Sequence, residues 1–232
     1  MSESSIRVTL PAALARSYEI RFARSGLMDM ASMIEETFFA DKYVIITDET
    51  VAPLYGENLL SYMRDRKMKT FLLKIPVGEI AKTRAQKEKL EDEMLRLGVG
   101  RDGLVVAVGG GVVSDIAGFT AATYLRGIRY ISAPTTLLAM TDASVGGKTG
   151  VDTAAGKNLV GAFHQPSLVY ADLSCLTTLP AREFRAGIAE NIKHGAIGDA
   201  SILDLLSENG AKIQEKDPDV IEEILRRSVA FK

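Results

Sequence analysis

Glu190, Lys193 and His194 stand at i, i+3 and i+4 of a helically patterned stretch, so a carboxylate, an ammonium and an imidazole share one face. Glu and His at that spacing can ligate a metal, and the lysine beside them can steer an anion; the same spacing also suits a plain surface ion pair. Two glycine clusters lie upstream. Gly109-Gly110-Gly111 follows an all-apolar run and opens a small-residue segment, the arrangement in which N–H groups at a helix start approach a pyrophosphate with no Cβ in the way. The spacing is not Gly-x-Gly-x-x-Gly, so the usual dinucleotide fingerprint is absent, and a glycine triplet also makes an ordinary tight turn. Asp115 reads as a first-turn acid favoured by the helix dipole or as a ligand contact.

The second cluster, Ser144-Val145-Gly146-Gly147-Lys148-Thr149-Gly150, contains Gly-Lys-Thr. It is not a Walker loop, because Asp142 stands where the leading glycine would have to fall. Glycines flanking a lysine and a threonine suit a loop around an oxyanion, or a loop with no ligand. Arg126, Arg129, Lys148 and Lys157 gather between residues 126 and 158 against only two acids, Asp142 and Asp152. Gly156-Lys157-Asn158 again sets glycine beside a cation and an amide. Such a cluster in a charge-balanced chain points to a small bound anion, phosphate above all. His164 has no partner at ligand spacing and reads as a loop histidine.

Short apolar runs alternating with helical patterns must position these groups, the signature of a layered α/β fold. Strands are expected at 43–47, ending in Asp48, at 70–75 before Pro76, at 104–108, at 128–131 cut by Pro134, and at 168–170. Helices are expected over 82–97, closed by Gly98, and over roughly 112–125. After Pro180, residues 181–197, 199–208 and 218–230 all read as helices. The fold class is therefore α/β: an N-terminal layered nucleotide-binding domain over 1–179, followed by the start of an all-helical second domain over 180–232.

Of 232 residues, 47% are hydrophobic and 25% charged, the balance of a globular protein. A net charge of -2 argues against nucleic acid as partner. The charged stretch 61–101 interleaves acids with bases and reads as a solvated face. One cysteine, Cys175, forms no internal disulfide and favours a reducing compartment. Met1-Ser2-Glu3-Ser4-Ser5 lacks a basic start with an apolar run, and no stretch approaches the roughly 18 apolar residues of a bilayer span. A cytoplasmic protein that does not engage membranes is expected.

Taken together, Gly109-Gly110-Gly111-Val112-Val113-Ser114-Asp115, Tyr124-Leu125-Arg126-Gly127, Pro134-Thr135-Thr136-Leu137-Leu138-Ala139, Asp142 through Gly150, Gly156-Lys157-Asn158, Gly161-Ala162-Phe163-His164-Gln165-Pro166 and Ala189-Glu190-Asn191-Ile192-Lys193-His194-Gly195 resemble the 3-dehydroquinate synthase family of sugar phosphate cyclases. Asp48 and Gly78-Glu79-Ile80-Ala81-Lys82 match as well. The resemblance implies an NAD- and zinc- or cobalt-dependent carbon–oxygen lyase of the shikimate pathway of aromatic amino acid biosynthesis. Its substrate would be a phosphorylated sugar acid, 3-deoxy-D-arabino-heptulosonate 7-phosphate, and its products 3-dehydroquinate and phosphate. NAD would act catalytically, oxidising a ring alcohol before phosphate leaves and reducing the ketone afterwards. A homodimer is expected.

By motif match, Asp48, Glu79 and Lys82 would hold the cofactor's ribose hydroxyls. Gly110, Gly111, Val112, Val113, Asp115, Thr135, Thr136 and the loop from Cys175 to Thr178 would line the rest. Arg126, Asp142, Lys148, Asn158, Lys193 and Lys232 would face substrate, with Lys148 and Lys157 also reaching the cofactor. Glu190 would ligate the metal and His194 would not. Ser114 and Asp152 depart from the family's more usual Gly and Asn. The family's two further histidine ligands have no counterpart here, so the chain is expected to be truncated in the helical domain and not to hold the metal. The competing readings are a sister cyclase or metal-dependent polyol dehydrogenase, and a non-catalytic NAD-binding fragment.

Overall fold

The computed structural model describes residues 17–232; Met1–Ser5, on which the reading of an absent leader rests, lie outside them. The framework is a six-stranded, all-parallel sheet in the order β1-β8-β5-β4-β2-β3. Its strands are β1 (Glu19–Ala23), β2 (Tyr43–Asp48), β3 (Thr70–Ile75), β4 (Leu104–Gly109), β5 (Arg129–Pro134) and β8 (Leu168–Asp172). Every residue of β4 is buried, because Leu104, Val106 and Val108 pack into one core and Val105 and Ala107 into the other. The first core holds α1 (Leu27–Thr37) and α2 (Glu57–Asp65), and the second holds α3 (Arg84–Arg96) and α4 (Gly111–Thr123). The result is three layers with helices on both faces, which is what strands without polar residues require.

The helical segment comprises α5 (Ala181–Ile197), α6 (Ser201–Glu208), α7 (Gly210–Gln214) and α8 (Pro218–Phe231). Phe184, Ile202, Ile213, Ile221 and Leu225 pack into the same core as α1 and α2. Among the described residues no helix is long and apolar enough to cross a membrane.

The structure corrects the sequence reading in four places. Residues 79–81 form a separate 3-10 turn, and α3 begins at Arg84 because Thr83 caps it, accepting the Gln86 N–H at 3.1 Å. Pro134 ends β5 rather than cutting it short; the last residue of a strand can lack an N–H. Residues 124–126 leave α4 through positive φ at Leu125 and Arg126. The largest change concerns the glycine-rich stretches, expected as loops. They form a two-stranded antiparallel hairpin, β6 (Lys148–Thr153) and β7 (Gly156–Phe163), laid on α4. Val151 packs into the second core with Val160 and Ala162 against it, an alternation masked by the glycines at 150, 156 and 161.

On α3, Leu90 is 3% exposed while Leu95 is 57% exposed. Urea denaturation should show Leu90→Ala losing about 2–5 kcal/mol of stability, and Leu95→Ala less than about 0.5 kcal/mol.

Candidate active site

In an open parallel sheet, ligands bind outside the carboxyl ends of the strands where the chain order reverses. Here β2 leads outward to β3, whereas β4 leads the other way to β5, so the switch lies between β2 and β4. Asp48 closes β2, and Gly109-Gly110-Gly111 runs from the last residue of β4 into the first of α4, which puts both at that crevice. Asp48 Oδ1 accepts the N–H groups of Thr50 and Val51 at 2.8 Å each. The start of α4 has no side-chain cap, so its first N–H groups remain available to an anion. A Cβ on Gly110 would stand 3.2 Å from Thr136 Cγ2, and one on Gly111 3.4 Å from Ala143 Cβ. Glycine keeps this cradle open. Thr135 is buried and tied to the cradle by its N–H on Gly109 O, while Thr136 Oγ1 accepts from Ala139 N–H at 3.1 Å.

A cavity of about 560 Å³ adjoins the crevice, lined by Asp115, Asp142, Lys148, Asn158, Phe163 and Lys232 among others. The turn at Gly146 and Gly147, with φ of 89° and 69°, sets Lys148 at the first position of β6. At the cavity's edge, Glu190, Lys193 and His194 do share one face of α5. Lys193 donates to Glu190, and His194 Nε2 lies 3.4 Å from Glu190 Oε1. Asp142 joins them: ligand atoms of Asp142, Glu190 and His194 all lie within 4.8 Å of one another. Helix spacing revealed only two of these donors, because the third comes from a short π-helical segment, Ala139–Ala143, before β6. Burial holds the His194 imidazole below its usual range against the opposing pull of Glu190. Its Nδ1 is buried without a partner.

The other expected residues fall less simply. Lys82 is 4% exposed, and its ammonium lies 2.5 Å from Asp115 Oδ2 and donates to Asn158 Oδ1. Burial pushes the Asp115 carboxyl up, against the downward pull of Lys82. Glu79 and Lys157 pair with each other at 3.0 Å. Lys232 reaches Asp142 Oδ1 at 2.6 Å. Val112 is half-buried and Val113 packs into the core, so Val113 offers the crevice only its backbone. Cys175 also faces the core at 1% exposure, its thiol pushed up to about 12 by burial and then by Asp172. Thr178 Oγ1 lies 2.5 Å from the Tyr55 hydroxyl. Arg126 is not brought to the cavity; it lines a separate basic groove with Arg101, Arg129 and His164. His164 stacks on Tyr130 at 5.3 Å. Sequence reasoning assigned no role to Phe163, 81% exposed at the cavity, or to Tyr55, and only the sheet topology places them.

A profile described as the 3-dehydroquinate synthase N-terminal family matches residues 72–186. The chain is 43% identical over 232 residues to the 3-dehydroquinate synthase of Cereibacter sphaeroides, covering all of this chain and 62% of that protein. It is 48% identical over 189 residues to the enzyme of that name from Symbiobacterium thermophilum, covering 82% of this chain and 53% of the relative. Among solved structures, it superposes with a TM-score of 0.86 and 35% identity on 2-epi-5-epi-valiolone synthase from Streptomyces hygroscopicus, determined with NAD+ and Zn2+ bound. That match covers 96% of this chain and 62% of the other. With ordered motifs, sheet topology and relatives in agreement, the chain belongs to the 3-dehydroquinate synthase family.

Proposed function

We propose that this chain supplies the NAD-binding domain and one substrate-facing wall of a 3-dehydroquinate synthase, a carbon–oxygen lyase that converts 3-deoxy-D-arabino-heptulosonate 7-phosphate to 3-dehydroquinate and phosphate. A cytoplasmic homodimer is part of the same reading. The observation that carries it is the state of the lysines around the cavity. Lys82, Lys157, Lys193 and Lys232 each have a carboxylate partner, whereas Lys148 lines the cavity with no ion pair to any described residue. An exposed ammonium in the same cavity as the Asn158 amide suits an anionic group of the substrate. A polyol dehydrogenase has no need of that anchor.

The glycine cradle, the uncapped start of α4 and Asp48 at the switch point fit a dinucleotide in shape and charge. Two carboxylates and an imidazole fit a divalent cation in kind and spacing. Glu190 would be its main ligand, with Asp142 and His194 in reach. When bound, NAD supplies a hydride acceptor and donor, and the metal a Lewis acid. The chain's own residues do the rest. Lys148 and Asn158 bind the anion, Asp142 accepts hydroxyl hydrogen bonds, and the Lys193–Glu190 and Lys232–Asp142 pairs hold those carboxylates in place.

Calorimetry with NAD on this chain should give saturable heat, and none at millimolar cofactor would refute the crevice assignment. Cobalt uptake should be weak, because Lys193 and Lys232 compete for the same carboxylates, and Glu190→Ala should lower it by about tenfold or more. Stoichiometric metal surviving dialysis against a mild chelator would show a tighter site than this one. Completed with the remaining portion of the Cereibacter sphaeroides relative, the chain should release phosphate from the heptulosonate with catalytic NAD. In that protein Lys148→Ala and Lys193→Ala should each lower turnover on the order of a hundredfold and change NAD affinity far less. Net NADH accumulation without phosphate release would overturn the assignment.

A further inference from the structure

Three hydrogen bonds form a closed ring that begins and ends at one residue. The Lys82 carbonyl accepts the Asp152 N–H at 2.8 Å. Asp152 Oδ1 accepts the Asn158 N–H at 2.9 Å. The Asn158 side-chain oxygen then accepts from the Lys82 ammonium. Only an acceptor oxygen is needed at Asp152, so the family's more usual Asn would serve equally there.

The ring fixes a chemical ambiguity. An asparagine amide can be turned by half a rotation, exchanging oxygen and nitrogen, and which way it points must follow from its partners. An ammonium has donors only, so the atom facing Lys82 must be Oδ1. Nδ2, with its two donors, then points away from Lys82. Asn158 and Lys148 line the same cavity, and the Asn158 Nδ2 has no partner among the described residues. The backbone of Asn158 is also held in an uncommon conformation, φ 58°, which asparagine tolerates better than most residues. Lys82 is itself fixed, being buried and paired to Asp115.

We infer that Lys82 is a positioning residue: it orients the Asn158 amide so that the cavity meets a donor and never an acceptor, selecting for an anionic ligand. The inference deepens the proposed function and rests on its reading of the cavity as an anion site. Lys82 also links that cavity to the cofactor crevice. Asp115 and Asn158 take two of its three N–H donors, leaving one for a cofactor hydroxyl.

The test separates orientation from anion binding. In the 232-residue chain, the Asn158 side-chain NH2 resonance is identified by its loss in Asn158→Asp. Its heteronuclear NOE should be that of a rigid group in the wild type, and that of a free side chain in Lys82→Met. Lys82→Met leaves Asp115 without its cation, so Lys82→Met/Asp115→Asn is the second form, and an unchanged backbone spectrum shows that either is folded. Equal rigidity with and without Lys82 would overturn the inference. Inorganic phosphate, titrated into the same samples, completes a double-mutant cycle. Lys82→Met should weaken phosphate binding about tenfold in the Asn158 background and no further in Asn158→Ala. An undiminished loss in Asn158→Ala would mean that the Lys82 charge acts directly, which overturns the positioning role. A rigid, Lys82-dependent amide that ignores phosphate would uphold the positioning and sink the anion reading of the cavity.

Discussion

Burial of β4 on both faces constrains everything else. A strand with no polar side chain must be flanked by strands and covered by helices above and below. Parallel pairing then sends all six carboxyl ends to one side of the sheet, and the reversal of strand order next to β4 opens a gap there. The glycines at the end of β4 therefore need no special folding device to form the open cradle at that gap. Their place at the end of the most buried strand provides it. The hairpin and α5 then close round the same end, one resting on α4 and the other on the first core.

The second organising feature is electrostatic. Acids and bases at the site alternate so that four lysines are neutralised locally while Lys148 is not. Exposed pairs such as Glu79–Lys157 contribute little stability. Their effect is geometric: they tie the hairpin tip to the segment between β3 and α3. The buried Lys82–Asp115 pair is different, since neither charge could be left alone there without a large desolvation cost. The hairpin tip, the segment between β3 and α3, and α4 are thus mechanically one unit.

Much of this was legible in the chain. The runs at 43–47 and 104–108 read as buried strands, the second as the middle of a parallel sheet, and helix periodicity put Glu190, Lys193 and His194 together because that relation is local. Relations between distant segments were not legible. Nothing in the spacing of Lys82 and Asp115, or of Asp142 and Glu190, says that they touch. Nor does motif order say that Arg126 leaves α4 toward the groove it shares with Arg101 and Arg129. The hairpin was missed because Gly150, Gly156 and Gly161 carry turn propensity that tertiary packing overrides.

The lone cysteine gives the protein a built-in clock. Cys175 sits in the first core with its thiol pushed up to about 12, so almost none of it is thiolate at neutral pH and almost none is within reach of a reagent. Alkylation must wait for the segment that follows β8 to open. Its rate therefore counts the excursions of this one stretch, where Tyr55 and Thr178 meet, with no other sulfhydryl in the chain to confuse the signal.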